Sequence, residues 1–304
     1  MGSTRFDPSA YAGYARSTAH LDHTTKFKAS STKADFDPKM IKVRESVKSD
    51  LNPKPTPVII GLDVTGSMGR VVDAMHRGLG TLFEEIIKRD PVSDPHVLAM
   101  AIGDMDCDRS PVQATQFEAD PVTIGKQVEE LHLERGGGGN DHESYLGPLY
   151  FALMRTKCDA FSDGRKGYLF TMGDEGPQTV LTKAQIERWF GDQPKQDYTA
   201  EQLIEAVSRN WHIFHLIVME GDFQQYPAAA KYNEQWSKLL GQRVIKLSDH
   251  TKMAEVIIST IEVTEGRDKD SVAHSWSGDT SIVVRDAIKG LAVADKVSAG
   301  PVAL

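Results

Sequence analysis

Short, continuous runs of apolar residues alternate along the chain with stretches in which apolar residues recur every three or four positions. The run Val58-Ile59-Ile60-Gly61-Leu62 is uniformly apolar, as expected for a central parallel strand that is covered on both faces. The next stretch carries its apolar residues at the spacing of one helix face: Val71, Val72, Met75, Leu79, Leu82, Phe83 and Ile86. The pattern predicts strands at residues 58–62, 97–102, 114–117, 167–172, 211–219 and 244–247. It predicts helices at residues 68–88, 121–133, 144–157, 184–190, 200–209, 232–240 and 253–263.

Strands that alternate with helices predict a parallel sheet with helices packed on both of its faces. We therefore expect an α/β fold with a doubly wound, mostly parallel central sheet, occupying residues 56–264. Residues 1–55 are predicted to form a polar N-terminal arm that is either disordered or wraps the domain. Residues 265–304 are predicted to form a C-terminal tail, whose segment 281–290 adds either a strand or a short helix.

The charge balance is acidic, because the 304 residues carry a formal net charge of −8 and the isoelectric point is about 5.7. This argues against a general nucleic-acid or anionic-membrane binder, which presents a basic face, and it suits a protein that handles cations. The longest apolar run, residues 211–219, is too short to span a bilayer, and the N-terminus has no apolar segment typical of a secretory signal. Cys107 and Cys158 form no CxxC pair. We therefore expect a cytoplasmic protein.

Three loops near the predicted strand ends carry oxygen side chains. They are Asp63, Thr65 and Ser67 in the first loop, Asn140, Asp141, Glu143 and Ser144 in the second, and Asp174 and Glu175 in the third. In an open parallel sheet, ligands bind beyond the carboxyl ends of the strands. Hard oxygen ligands suit Mg²⁺, Mn²⁺ or Ca²⁺ rather than Zn²⁺ or Cu²⁺. The sequence therefore predicts a divalent-cation site at this edge of the sheet.

The first loop is also compatible with two different roles. Asp, Thr and Ser all cap helices well, so residues 63–67 can be an N-cap cluster in front of the helix at 68–88. The loop also looks like the Asp-Lys-Thr-Gly-Thr of P-type ATPases and, more loosely, like haloacid-dehalogenase-type phosphatases, in which Asp63 would be a nucleophile. Against the phosphatase, Thr65 stands where a second Asp is usual and Gln178 stands where the late loop has another. The helix that follows also leaves no room for the cap segment of those enzymes.

With these loops, the chain resembles the von Willebrand factor type A (vWA) family and its metal-ion-dependent adhesion site (MIDAS). The family's first motif, Asp-x-Ser-x-Ser, reads here Asp63-Val64-Thr65-Gly66-Ser67. The second loop departs from the family, because a run of four glycines is followed by Asn140 and Glu143 where a Thr is usual. The third motif, usually Thr-Asp-Gly, has Asp174 two positions later. This version is similar to uncharacterised bacterial and phage vWA proteins and to vWA domains linked to α-kinases.

The resemblance implies a protein–protein interaction domain, an adaptor, and not an enzyme. In vWA domains the bound ion, here Mg²⁺ or else Mn²⁺ or Ca²⁺, keeps one coordination position open for a carboxylate of another protein. Carried over by motif, the metal ligands are Asp63, Thr65, Ser67, Asp174 and either Asn140 or Glu143. Several bacterial members work with a MoxR-type AAA+ ATPase, so the expected partner is a protein that supplies an acidic residue, with such an ATPase as one candidate. Neither a nucleic-acid nor a membrane partner is expected, and the alternative function is a phosphatase or phosphotransferase.

Two further groups of residues have structural interpretations. Residues 103–108 (Gly-Asp-Met-Asp-Cys-Asp) begin like a calcium loop but lack the Gly and the closing Glu of an EF-hand. They are interpreted as an acidic surface loop near the rim of the site. His212 and His215 lie within a predicted buried strand and are interpreted as core or hydrogen-bonded histidines rather than ligands.

Overall fold

The central sheet has six strands in the computed structural model, which describes residues 4–133, 142–220 and 228–291. They are β1 (Thr56–Asp63), β2 (Pro95–Ile102), β3 (Val112–Ala114), β4 (Gly167–Gly173), β5 (Trp211–Val218) and β6 (Val244–Leu247). Their order is β6-β5-β4-β1-β2-β3, and all neighbours are parallel except β3, which runs antiparallel to β2 at the edge. The predicted α/β fold class is confirmed. The strand predicted at 114–117 lies instead at Val112–Ala114.

Helices cover both faces of the sheet. Among the described residues they are α1 (Pro8–Thr18), α2 (His23–Lys26), α3 (Gly69–Arg89), α4 (Pro121–Glu129), α5 (Leu146–Met154), α6 (Asp159–Ser162), α7 (Lys183–Trp189), α8 (Ala200–Ser208), α9 (Ala228–Leu240), α10 (Met253–Thr264), α11 (Lys269–His274) and α12 (Gly278–Ile288). Helices α3, α4 and α10 to α12 share one core with Val58 and Ile60, whereas α5 and α7 to α9 share the other with Ile59. Alternate residues of β1 thus point to opposite dry faces, which accounts for its uninterrupted apolar run.

Three short strand pairs lie outside the main sheet in the described ranges. Arg44–Ser46 pairs with Thr156–Cys158, His142–Glu143 pairs with Gly176–Pro177, and Val180–Leu181 pairs with Tyr198–Thr199. The first pair corrects the helix predicted at 144–157, because α5 ends at Met154 and the chain then extends alongside the N-terminal arm.

The N-terminal arm wraps the domain over its described residues. Tyr14 of α1 donates a hydrogen bond to Glu129 Oε1 (2.6 Å), and its hydroxyl lies 2.7 Å from His76 Nε2. Phe27 and Phe36 are buried in the same core as α3 and α10. Helix α1 itself has no fully buried residue, so its sequence has no apolar stripe that predicts a helix.

The described part of the C-terminal tail is helical. Helices α11 and α12 bury Val272, Val284 and Ile288 in the core formed by α3 and α10. Of the two alternatives for residues 281–290, the helix is therefore the one that forms, between Gly278 and Ile288. Within the described ranges, the structure contains no helix with both the length and the apolar character needed to cross a membrane.

Candidate metal-binding site at the carboxyl edge of the sheet

The first and third oxygen-rich loops lie where the strand order reverses. The chain runs outward from β1 to β2 and β3 on one side, and from β4 to β5 and β6 on the other. Ligands of doubly wound sheets bind beyond the carboxyl ends of the strands at such a switch point. Asp63 ends β1 and Gly173 ends β4, so both loops open at this position.

Asp63 is completely buried and accepts hydrogen bonds on both carboxylate oxygens. Its Oδ1 accepts from the Thr65 backbone N–H (2.9 Å) and from the Thr65 hydroxyl (2.6 Å). Its Oδ2 accepts from the hydroxyl of Tyr145 (3.1 Å). The structure thus brings two of the predicted ligands, Asp63 and Thr65, into direct contact.

An N-cap cluster does not account for Asp63 and Thr65. A single 3-10 turn, Gly66–Met68, follows the loop, and α3 begins at Gly69. Among the described side chains, neither Thr65 before the turn nor Met68 before α3 makes a capping hydrogen bond. The hydrogen bonds of the Asp63 carboxylate are made within its own loop and with Tyr145.

Of the two alternative ligands in the second loop, Glu143 is the one that lies among the described residues. Its side chain is 2% exposed, and its backbone pairs with Pro177. Within the described residues, Glu143 Oε2 is fully buried and has no hydrogen-bond partner. The next residue anchors the segment, since the Ser144 N–H donates to the Gly103 carbonyl (3.1 Å) and Ser144 Oγ accepts from the Met105 N–H (2.8 Å).

Three predicted members of the site cannot be placed in full. Asn140 and Asp141 lie outside the described residues. Ser67 lies in the 3-10 turn after Thr65, but its side chain is outside what the structure describes. Their predicted roles therefore stay predictions.

The third loop brings Asp174 and Glu175 directly after β4. Both side chains are partly exposed. Position 173 requires glycine for steric reasons, because a Cβ there would overlap the Tyr145 hydroxyl and lie 3.0 Å from Asp63 Oδ2. The glycine lets the ends of β1 and β4 and the Tyr145 side chain meet at one point.

Tyr145 connects the three loops, and the sequence contains no signal for this role. The side chain is 1% exposed, and its ring packs edge-on against His215 (centroids 5.0 Å apart) and Trp236 (5.3 Å). Trp236 in turn donates its Nε1–H to the carbonyl of Glu175 (3.0 Å). His215 is buried, with Nδ1 2.9 Å from the Thr171 hydroxyl, so its interpretation as a hydrogen-bonded core histidine is confirmed.

The carboxylates of the site repel one another. Burial, followed by the charge of Asp174, raises the pKa of Asp63 to about 7, although the hydrogen bonds from Thr65 and Tyr145 act in the opposite direction. Burial raises the pKa of Glu143 to about 10, and the negative charges of Asp63, Glu175, Asp104 and Asp108 add to this effect. Such a group of buried carboxylates is electrostatically unfavourable unless a cation or protons compensate it.

The acidic segment 103–108 is part of this environment, and its interpretation as a surface loop is wrong for Asp104. Asp104 is 1% exposed, while Asp106 and Cys107 are exposed. Its N–H donates to Asp108 Oδ2 (2.7 Å), and Gly103 makes room for that carboxylate. The alternation of buried and exposed acidic residues depends on this tight local turn, which the composition alone does not reveal.

The donor set suits a divalent cation. It combines the carboxylates of Asp63, Glu143 and Asp174 with the Thr65 hydroxyl, and Glu143 contributes a buried oxygen that no described donor satisfies. Hard oxygen ligands of this kind bind Mg²⁺, Mn²⁺ and Ca²⁺. Among the described residues, the carboxylate oxygens of Asp63, Glu143 and Asp174 are not grouped as closely as the donor atoms of Glu220, Asp249 and His250.

A second cluster lies at the ends of β5 and β6. In the part of the chain that the structure describes, the one group of three His, Cys or carboxylate donors within 4.8 Å of one another is Glu220, Asp249 and His250. Its members already bond internally, because Glu220 Oε1 accepts from the His250 N–H (2.8 Å) and His250 Nδ1 lies 2.5 Å from Glu220 Oε2. The three residues each lie beyond a strand end, but their sequence spacing predicts no site.

A polar cleft of about 350 Å³ opens next to the Glu143 strand. Its lining includes His142, which precedes Glu143 in the chain, and Pro177, which pairs with Glu143. Asp106, Gln185 and Lys231 also line the cleft. Gln185 Nε2 donates to Asp106 Oδ1 (2.9 Å), which fixes the acidic segment against α7. The cleft therefore gives the surroundings of the carboxylate site a polar, accessible surface.

No protein-family profile matches this chain, and no curated protein matches it. Several solved structures are distantly similar to part of this chain. The pilus adhesin SpaC from Lactobacillus rhamnosus GG, in its open conformation, aligns with 72% of this chain at 11% sequence identity and a TM-score of 0.46. The matched region spans only 31% of the adhesin chain.

Two other solved structures are similar over part of the chain. The conserved hypothetical protein BatB from Bacteroides thetaiotaomicron aligns with 54% of this chain and 66% of its own, at 14% identity and a TM-score of 0.31. Proximal thread matrix protein 1 from the mussel byssus aligns with 73% of this chain and 48% of its own, at 8% identity and a TM-score of 0.41. Likenesses this distant give no information about function, which has to be inferred from the site.

Proposed function

We propose that this chain is a metal-dependent protein-interaction domain. It binds Mg²⁺ or a similar divalent cation at the switch point of the sheet and docks an acidic side chain of a partner protein there. The ligands proposed for the ion are Asp63, Thr65, Ser67, Asp174 and, from the second loop, Glu143 or Asn140. The bound ion supplies a fixed positive charge to which a carboxylate can attach.

One observation supports the proposal most strongly. The buried Glu143 Oε2 has no hydrogen-bond donor among the described residues, and the negative charge of the buried Asp63 repels the Glu143 carboxylate. An uncompensated buried carboxylate costs several kcal/mol, on the order of 3–5 kcal/mol when its partner is removed. A divalent cation compensates both carboxylates at once.

The resemblance to the vWA family supports the interaction role. Asp63, Thr65 and the strand-to-helix connection after them match the family's first motif, and the carboxyl edge of the sheet is where that motif lies. The same resemblance makes a MoxR-type AAA+ ATPase one candidate partner. The polar cleft lined by His142, Pro177 and Lys231 offers a partner segment a surface beside the second loop.

The chain is proposed not to be an enzyme. As the alternative nucleophile, Asp63 would attack phosphorus through an oxygen, but both of its oxygens accept hydrogen bonds from Thr65 and Tyr145. No acidic group stands at position 65 to protonate a leaving group, since that residue is Thr65. A phosphatase would instead turn over p-nitrophenyl phosphate in a metal-dependent reaction.

Calorimetric titration of the metal-stripped protein with Mg²⁺, Mn²⁺ and Ca²⁺ tests the proposal. Asp63→Asn keeps the shape of the side chain and removes its charge, while Asp50→Asn removes an exposed carboxylate elsewhere and serves as the control. The expected result is binding that Asp63→Asn abolishes and Asp50→Asn leaves unchanged, with no turnover of p-nitrophenyl phosphate. Absence of binding, or metal-dependent turnover that Asp63→Asn abolishes, would contradict the proposal.

A further inference from the structure

The segment that carries Glu143 is attached to the rest of the site through contacts of Glu143 and of the two residues that follow it. Glu143 pairs with Pro177, immediately beyond the Asp174 loop. Ser144 is bonded to Gly103 and Met105, and Tyr145 donates its hydroxyl to Asp63 Oδ2. The Glu143 carboxylate is therefore held inside the site by its two following neighbours, and it is not a mobile surface group.

The burial and bonding of Glu143 differ from those of Asp63. Both oxygens of Asp63 accept hydrogen bonds, whereas Glu143 Oε2 is buried with no donor in the described part of the chain. A buried oxygen in this state lacks the compensation that folded proteins usually provide for buried polar groups. A small cation would provide this compensation, because the surrounding carboxylates repel any anionic group.

An outside carboxylate would meet the same repulsion. It would enter a site that already contains Asp63 and Glu143 and that lies within the field of Asp104, Asp108 and Glu175. Glu143 is part of the same chain, so it competes with the outside group at a high effective concentration. The internal carboxylate is therefore favoured for the position that would otherwise attract a partner.

We infer that Glu143 closes the site: this chain's own carboxylate takes the place on the cation that a docking partner would use, and a partner binds only when Glu143 withdraws. The inference rests on the proposed function and describes how access of the partner to the cation is regulated. It makes the pairing of His142–Glu143 with Gly176–Pro177 the element that has to open before docking. The ground state of the protein is accordingly a metal-bound but closed form.

The test uses the full chain loaded with Mn²⁺, whose bound waters are counted by water-proton relaxation, and acetate as the probe for an outside carboxylate. Four proteins are compared: the wild type, Glu143→Gln, Glu143→Ala and Glu220→Ala. The last removes a carboxylate from the separate cluster at β5 and β6. Thermal melts in chelator show that each variant is folded.

The wild type and Glu220→Ala are expected to bind Mn²⁺ with few exchangeable waters and to show no response to acetate. In Glu143→Ala the relaxation enhancement rises, and acetate lowers it again, with an affinity for acetate at least about tenfold higher than in the wild type. Glu143→Gln keeps the size of the side chain but cannot ionise to bind the ion, and it is expected to remain folded in chelator. It also gains less thermal stability than the wild type when Mn²⁺ is added.

Two contrary results are distinguishable. In the first, the wild type binds Mn²⁺ through Asp63, but Glu143→Ala has the same number of exchangeable waters as the wild type and also shows no response to acetate. This result would contradict the closed site and leave the proposed metal site intact. If the wild type binds no Mn²⁺, the closed site falls together with the proposed function. Acetate binding to the wild type as tight as to Glu143→Ala would also overturn the closed site, because it shows a position that is already open.

Discussion

The hydroxyl of Tyr145 donates a hydrogen bond to Asp63 Oδ2 across 3.1 Å, although the two residues are 82 positions apart in the chain. This contact joins the end of β1 to the start of α5, and Gly173 at the end of β4 makes room for it. One buried phenol therefore ties together the three loops that the sequence marks as oxygen-rich.

Replacing Tyr145 with Phe removes the donor to Asp63 and leaves a buried charged acceptor with one bond fewer. We expect the metal-free protein to lose about 1–3 kcal/mol of unfolding free energy, measured by chemical denaturation. Tyr150→Phe is the matched control, because Tyr150 lies on α5, the helix that begins directly after Tyr145, and donates to the partly exposed Asp192 (2.9 Å). Its loss should be smaller, about 0.5–1.5 kcal/mol. Equal losses in the two variants would show that Asp63 does not depend on the phenol.

Gly173→Ala should displace Tyr145 from Asp63, because the added Cβ would occupy the position of the phenol oxygen. Both the stability of the metal-free protein and its affinity for Mg²⁺ should fall. The displaced Tyr145 ring also leaves its contact with Trp236, so the intrinsic fluorescence should change. Gly13→Ala, in the middle of α1 with open space around it, is the control and should be neutral or stabilising by up to about 1 kcal/mol. Normal fluorescence and Mg²⁺ affinity in Gly173→Ala would contradict this role of the glycine.

His96 should make the protein sensitive to acid. It is fully buried, its Nδ1 lies 3.1 Å from Ser46 Oγ, and burial lowers its pKa to about 4. An unfolded histidine titrates near pH ~6.5, so between about pH 6.5 and 4 the unfolded state binds a proton that the folded state does not. The contribution to stability is therefore fully present above pH ~6.5 and is lost as the pH falls.

Chemical denaturation at neutral pH and near pH ~5 measures this effect. The loss of unfolding free energy on acidification should be about 2 kcal/mol smaller in His96→Gln than in the wild type. His20→Gln, which replaces an exposed histidine, should keep the wild-type pH dependence. The same pH dependence in His96→Gln and the wild type would show that His96 titrates alike in the folded and unfolded chains.

The N-terminal arm should detach when Gly80 acquires a side chain. The Tyr11 ring of α1 lies against Gly80 of α3, where an added Cβ would overlap it. Gly80→Ala should therefore raise the rate of tryptic cleavage at the exposed Arg16, while Gly78→Ala on the same helix, with its nearest contact at 3.4 Å, should leave that rate unchanged. Unchanged cleavage in Gly80→Ala would mean that the arm is held by its other contacts alone.

The buried parts of the fold could be predicted from the sequence, because a buried face of a strand or helix requires apolar residues at a regular spacing along the chain. The strand predicted at 58–62 lies within Thr56–Asp63, and the helix predicted at 68–88 corresponds to Gly69–Arg89. The sequence does not predict α1, because its contact with the domain is made by tyrosine side chains such as Tyr14, without an apolar stripe. For α12 the sequence predicts either a strand or a helix, since its few buried positions fit either period.

The candidate site could be predicted from the sequence as far as its residues lie in oxygen-rich loops that follow predicted strands. Asp63 and Thr65 are two positions apart, and their contact follows from a tight turn at the end of a strand. Tyr145 and Asp104 belong to the site through loop conformations that bring distant segments together, and the chemistry of neither residue signals this. The buried state of Glu143 depends on its pairing with Pro177, which no local pattern reveals.

The most direct measurement of the proposed metal site is a crystal of the metal-stripped protein soaked in Mn²⁺, with anomalous diffraction recorded at the manganese edge. We predict an anomalous peak at the carboxyl ends of β1 and β4, within ligand distance of oxygens of the Asp63 and Thr65 loop, and no such peak in crystals of Asp63→Asn. A peak only at Glu220, Asp249 and His250, or no peak in the wild type, would contradict the proposed site.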